Sequence, residues 1–150
     1  MQNLFVYGTL MCEDIMEEVS GCFLPCVEGR LSGFCRRAVK REHYPAIFPD
    51  DRGIVAGILY MNVPPPAFER LDRFEGEMYS RRSVQVEFDF GTLLPAETYV
   101  IRPEFLDILE AFDWDYEAFL SHGKRVFQKH YRGYRLLDPA NQVSSAKPVG

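Results

Sequence analysis

The alternation over residues 79–90 constrains this chain more than any other stretch. Val84, Val86, Phe88 and Phe90 fall on one parity, and Arg81, Ser83, Gln85, Glu87 and Asp89 fall on the other. That period belongs to a strand with one buried face and one wet face. Gly91 and Thr92 read as a turn, and residues 94–101 supply a second strand, so the two are expected to pair as an antiparallel hairpin. A hairpin of this kind needs further strands to bury its apolar face.

Those strands are at hand. Leu4, Phe5, Val6 and Tyr7 favour a buried strand that runs into Gly8. Residues 23–39 are strand-like but interrupted by Pro25, Gly29 and Gly33, the pattern of a bent or bulged strand such as barrels use. A loop is expected at residues 49–53. In residues 54–61 both parities are mostly apolar, which predicts a central strand covered on both sides. Helices are expected at 12–19, ended by Ser20 and Gly21, and at 67–75, where Pro64, Pro65 and Pro66 precede the first turn. Phe105, Leu106, Ile108, Leu109 and Phe112 mark a short helix. Asp113 or Asp115 can cap another, striped by Phe119, Leu120, Gly123, Val126 and Phe127. Trp114, Tyr116 and Phe119 read as core anchors. The fold class is α+β: a small, mostly antiparallel β-barrel with flanking helices.

At 150 residues, with 47% apolar and 26% charged side chains, the chain fits one domain able to bury a sizeable core. The expected domain is 1–134, with 135–150 as a flexible tail. A net charge of −5 argues against phosphate-backbone binding, so no nucleic-acid partner is expected. The start lacks the pattern of a signal peptide and no apolar run is long enough to span a bilayer; the expectation is a cytoplasmic protein without a membrane partner. Cys12, Cys22, Cys26 and Cys35 lack paired zinc-knuckle spacing and read as separate reduced thiols. Arg30, Arg36, Arg37, Lys40 and Arg41 read as a solvated strand face, the alternative being an anion-binding patch.

Two stretches can carry chemistry. The turn after the first strand can aim successive N–H groups at one point, which suits a small anion or a developing oxyanion. Far along the chain, Phe68, Leu71 and Glu75 share one helical face, so Glu75 stands where a leucine would be expected. A carboxylate there needs a partner or a task; the other reading is a glutamate exposed where Gly76 unwinds the helix. His43, His122 and His130 lie far apart in sequence, and no G-x-S-x-G elbow, P-loop or G-x-G-x-x-G occurs. An amide-rich turn and one carboxylate suffice for an acyl transfer in which the substrate brings its own nucleophile.

Three stretches carry a family likeness: Phe5-Val6-Tyr7-Gly8-Thr9-Leu10, Tyr44-Pro45-Ala46-Ile47, and Leu71-Asp72-Arg73-Phe74-Glu75-Gly76 followed by Tyr79-Ser80-Arg81. In this order they resemble the gamma-glutamylcyclotransferase-like family, in detail its avirulence-induced-gene branch, as does the later Trp114-Asp115-Tyr116-Glu117. The resemblance implies a small, mostly antiparallel barrel and an intramolecular aminolysis. The α-amine of a gamma-glutamyl group attacks its own side-chain carbonyl and releases 5-oxoproline and an amine or amino acid. It implies a small-molecule gamma-glutamyl substrate, no cofactor and no metal. Glu75 matches the catalytic glutamate, and Tyr7, Gly8, Thr9 and Leu10 match the substrate-binding turn. Tyr79 and Arg81 are added as pocket residues. A catalytically inactive small-ligand-binding or signalling descendant is the alternative the resemblance allows.

Overall fold

The hairpin forms as the alternation requires. A computed structural model describes residues 1–137, and in it β4 (Tyr79–Phe88) pairs with β5 (Thr92–Ile101) from Tyr79 opposite Ile101 to Phe88 opposite Thr92. The reversal differs from expectation. Asp89, Phe90 and Gly91 all take positive φ, 44°, 55° and 89°, so Phe90 leaves the strand and stands fully exposed at the tip. With Phe88 held opposite Thr92, three residues must turn the chain, and Phe90 is the middle one.

Three more strands close the sheet into a barrel in the order β1-β3-β2-β4-β5: β1 (Gln2–Val6), β2 (Cys26–Ala38) and β3 (Pro45–Val63). Only the closing contact of β1 with β5, Leu4 beside Glu97, is parallel. Strand parity sorts the core in two. Phe5, Leu31, Ile47, Leu59, Val86 and Val100 point inward and fill the barrel. Leu4, Val6, Tyr60, Tyr79 and Tyr99 point outward beneath the helices. Residues 4–7 are therefore apolar on both parities because both faces are covered. Thr98 Oγ1 donates to the Phe5 carbonyl at 2.9 Å across the seam.

β3 runs through the residues expected as a loop. Its pairing with β2 jumps from Ser32–Ile54 to Phe34–Pro49, so residues 50–53 face only Gly33, whose φ is 88°. The proline, aspartate and glycine signals there mark an extended bulge inside one strand. Beyond it the outer face of β3 is not fully covered, and Ile54 is 68% exposed.

α1 (Glu13–Ser20) ends at Gly21 with φ 79°, and α2 (Pro65–Glu75) begins on Pro64. Arg70 Nε donates to the Val19 carbonyl at 2.7 Å, which caps α1 from α2. Residues 108–112 run back along the end of β2, with backbone bonds between Ala38 and Phe112 and between Lys40 and Ile108. The later helical segment comprises α3 (Tyr116–Ala118), a π-helical turn (Phe119–Gly123), α4 (Lys124–His130) and α5 (Arg132–Leu137). Asp115 caps its start by accepting from the Ala118 N–H at 3.0 Å. Leu137 is buried against the core, and the remainder of the expected tail lies outside the described residues. Among the described residues no helix is long and apolar enough to cross a membrane. All four cysteines are free.

Candidate active site

A cavity opens where β1 gives way to a short 3-10 turn, Thr9–Met11, beside the last turn of α2. Tyr7, Gly8, Thr9 and Leu10 form one wall, Glu75, Tyr79 and Tyr99 another, and Tyr44, Phe127 and Tyr131 cover it. Its volume is about 30 Å³, room for one water-sized group. A wider cavity of about 390 Å³ shares Tyr44, Phe74, Glu75, Tyr79 and Tyr131 with it and extends toward Glu77, Phe105 and Arg132. Glu75 stands between the two.

Among the described residues the turn's leading amides have no hydrogen-bond partner. The Met11 N–H donates to the Gly8 carbonyl at 3.0 Å and the Cys12 N–H to the Thr9 carbonyl at 3.1 Å. The N–H groups of Gly8, Thr9 and Leu10 take no part in those bonds, as at the start of any helical turn. Gly8 is required for a reason the sequence did not disclose. Its φ is −133°, outside the left-handed region, but a Cβ there would lie 2.7 Å from Pro45 Cδ. The turn is pinned from outside the cavity, by Arg36 Nη1 on the Tyr7 carbonyl at 2.8 Å and by Tyr60 Oη on the Leu10 carbonyl at 3.1 Å.

Glu75 is the last residue of α2. Ala67, Phe68, Leu71 and Phe74 form the buried stripe, and Glu75 lies at its edge, facing the cavity. The helix does end at Gly76, yet Glu75 is only partly exposed, since Tyr44, Phe127 and Tyr131 line the cavity it faces. Among the described residues the carboxylate meets no cation and accepts no hydrogen bond. Burial first, and then the charge of Asp72, push its pKa up to about 8. At pH 7 it is therefore mostly protonated. The surrounding phenols, Tyr7, Tyr79, Tyr99, Tyr131 and Tyr44, are all raised, chiefly by burial, and stay neutral.

The remaining expected site residues fall in different places. The Tyr7 hydroxyl is committed to the Tyr99 carbonyl at 2.6 Å and the Tyr79 hydroxyl to the Pro45 carbonyl at 2.8 Å, so both present ring and backbone to the cavity. Arg81 lies outside it. Arg81 shares the outward face with Tyr79 but sits two residues further along β4, about 7 Å by strand rise. There its guanidinium stacks on Phe68 at 4.5 Å and pairs with Asp72 at 3.2 Å. Tyr99 Oη donates to the same Asp72 oxygen at 2.6 Å, so Arg81, which also pairs with Glu97 at 3.7 Å, is linked to the cavity wall through Asp72 and Tyr99. Tyr44 stands out in the sequence only through the family-likeness stretch it opens, and Tyr99, Phe127 and Tyr131 read there as ordinary aromatics. Among the described residues no group of three or more His, Cys, Asp or Glu side chains gathers to hold a metal.

Comparison with known proteins places the chain in a family and a fold. The family described as gamma-glutamyl cyclotransferase, AIG2-like, matches residues 4–116. AIG2-like protein C of Arabidopsis thaliana is 33% identical over 150 residues, covering 97% of this chain and 87% of that protein. A solution structure of an Arabidopsis thaliana protein superposes with a TM-score of 0.64 at 27% identity, over 85% of this chain and 87% of the other. A structure described as gamma-glutamyl cyclotransferase shares the fold, with a TM-score of 0.60 over 97% and 98% of the two chains, at 14% identity. Sequence and fold lead to one assignment: the chain belongs to the gamma-glutamyl cyclotransferase, AIG2-like family.

Proposed function

We propose that the protein cyclises a gamma-glutamyl group to 5-oxoproline and releases an amine or amino acid, with Glu75 as the proton-transfer residue. The observation that carries this reading is the convergence of an unpartnered carboxyl and a turn with unused amides on one small cavity. The cavity beside Gly8, Thr9 and Leu10 has room for a carbonyl oxygen and little more. The rest of the substrate then lies in the wider cavity on the other side of Glu75. The α-ammonium first gives up one proton to solvent; the resulting amine nitrogen bonds to the side-chain carbonyl carbon, and Glu75 accepts the second proton that nitrogen loses. The carbon–nitrogen bond to the leaving group breaks as the same proton is delivered to the departing nitrogen. No electron is gained or lost, so the step draws on no cofactor. Both reacting groups belong to one molecule, so the protein's contribution is to fold the substrate into attack geometry and polarise the carbonyl.

The raised pKa of Glu75 fits this role. The substrate arrives with an ammonium group, which supplies the cation the carboxylate lacks and favours its ionised form once bound. Glu75→Gln keeps the shape and removes the proton acceptor. It is expected to lower the rate of 5-oxoproline release from a panel of gamma-glutamyl amines and amino acids by about 10² to 10⁴. Leaving group and 5-oxoproline should appear in equal amounts. A Gln variant as active as the wild type removes Glu75 from the mechanism. A wild-type protein that binds 5-oxoproline and turns over no member of the panel is a binding protein on the same fold.

A further inference from the structure

Arg36 reads in the sequence as one of five cations on a solvated strand face, yet its side chain is only 17% exposed. Its guanidinium is held on three sides. Nε and Nη2 donate to the two carboxylate oxygens of Asp113, at 2.8 and 3.2 Å, and the group lies 5.5 Å from the centre of the Trp114 ring. Trp114 is itself buried and donates its indole N–H to the His43 carbonyl at 3.1 Å. The remaining arm, Nη1, reaches the Tyr7 carbonyl at 2.8 Å. A bidentate carboxylate on one side and a stacked ring below leave the planar fork little freedom, so it delivers its last donor to a fixed point. The run of residues 108–112 along the end of β2 brings Asp113 and Trp114 to this spot.

That point matters because of peptide geometry. The bond between Tyr7 and Gly8 is trans, so the carbonyl of Tyr7 and the N–H of Gly8 point in opposite directions within one plane. Tyr7 and Gly8 line the cavity, and Arg36 does not. We propose that Arg36, clamped by Asp113 and Trp114, is a positioning residue: by holding the Tyr7 carbonyl on the far side of the turn, it aims the Gly8 N–H into the cavity. The inference rests on the reading that the turn's amides polarise the substrate carbonyl.

The test compares the wild type with Arg36→Met, Arg36→Lys and Asp113→Asn. Lys keeps the charge but cannot grip a carboxylate with two donors while reaching a carbonyl with a third. A carbonyl-polarising amide that is misaimed is felt in the transition state, so kcat is expected to fall about tenfold to a hundredfold in both Arg36 variants. KM should change less than threefold, and the pH limb due to Glu75 should stay in place. Asp113→Asn retains Arg36 and loosens its clamp; it should fall between the wild type and Arg36→Met, and it stands in for Arg36→Met if that variant does not fold. Folded variants with wild-type kcat overturn the proposal, as does a loss confined to KM. If the wild type turns over no gamma-glutamyl compound, the cyclotransferase reading fails first. The clamp is then judged by titration with 5-oxoproline followed at the Gly8 amide resonance. Binding weakened at least fivefold in Arg36→Met supports it, and unchanged binding overturns it.

Discussion

Glu75 is the residue in which fold and function oppose each other. Its pKa in the folded protein is about 8, against an ordinary value of 4.5. Between those values the native state holds a proton that the unfolded chain has released. Stability is therefore full below about pH 4.5 and is lost progressively as pH rises through about 8. Glu75→Gln carries no such proton. The wild type and this variant should melt at similar temperatures at pH 4.5, and the wild type should fall below the variant by pH 8.5, a divergence that thermal melts at several pH values would reveal. A constant gap between the two curves would place the carboxyl in water. On the proposed cyclotransferase reading, the same burial predicts that kcat/KM rises with pH toward about 8, since a base at Glu75 must first lose that proton. The helical stripe singled Glu75 out, but it could not decide between an inward carboxyl and an exposed helix end. What decides is the cover of Tyr44, Phe127 and Tyr131, brought from distant parts of the chain. Arg81 shows the same limit: strand parity gives its face, and only the packed structure gives its distance from the cavity.

Among the elements, the opening turn is shaped by a strand it does not follow. Gly8 approaches Pro45 so closely that a methyl group would meet the proline ring at 2.7 and 2.8 Å. Gly8→Ala should cost about 1–3 kcal/mol, the usual penalty of overpacking, and weaken 5-oxoproline binding, as read by denaturant melts and calorimetry. Pro45→Ala removes the obstructing atoms, so the double variant should recover most of both losses. A double variant that remains as damaged would move the requirement from close approach to the backbone angles of Gly8. Local signals served these elements unevenly. The pairing of β4 with β5 was legible because the alternation over residues 79–90 repeats many times. The turn joining them was displaced because Phe90 matched the apolar parity. The bulge at 50–53 was read as a loop, since proline, aspartate and glycine mark both; its continuation as strand depends on Gly33 of β2, which local sequence does not reveal.

At the scale of the whole molecule, the barrel interior is filled by side chains, and the site lies on its outer side beneath the helices. Two of its walls, Phe127 and Tyr131, fall beyond the 4–116 span that matches the family. They are attached to the barrel mainly by aromatic packing: Tyr131 against Phe74 at 4.9 Å and Tyr44 at 5.2 Å, and Phe127 against Phe74 at 6.1 Å. The Tyr131 hydroxyl adds bonds to the carbonyls of Phe74 and Glu75, at 2.8 and 3.2 Å. Strand ladders surround β1 and β3, whereas α4 and α5 pack on through side chains: this aromatic seam, buried Leu137 and the ion pair of Lys124 with Asp14 at 2.9 Å. Elements held by fewer cooperative contacts open at lower free energy. Native-state hydrogen exchange should therefore show amides of α4 and α5 exchanging ahead of those of β1 and β3. Tyr131→Phe keeps the rings in place and gives up the hydroxyl bonds, so it should lower the opening free energy of α4 and α5 by about 1 kcal/mol and leave the strands unchanged. Exchange that slows or quickens uniformly across helices and strands would make the molecule a single cooperative unit. A gamma-glutamyl group would then have to reach the small cavity without the aromatic cover moving.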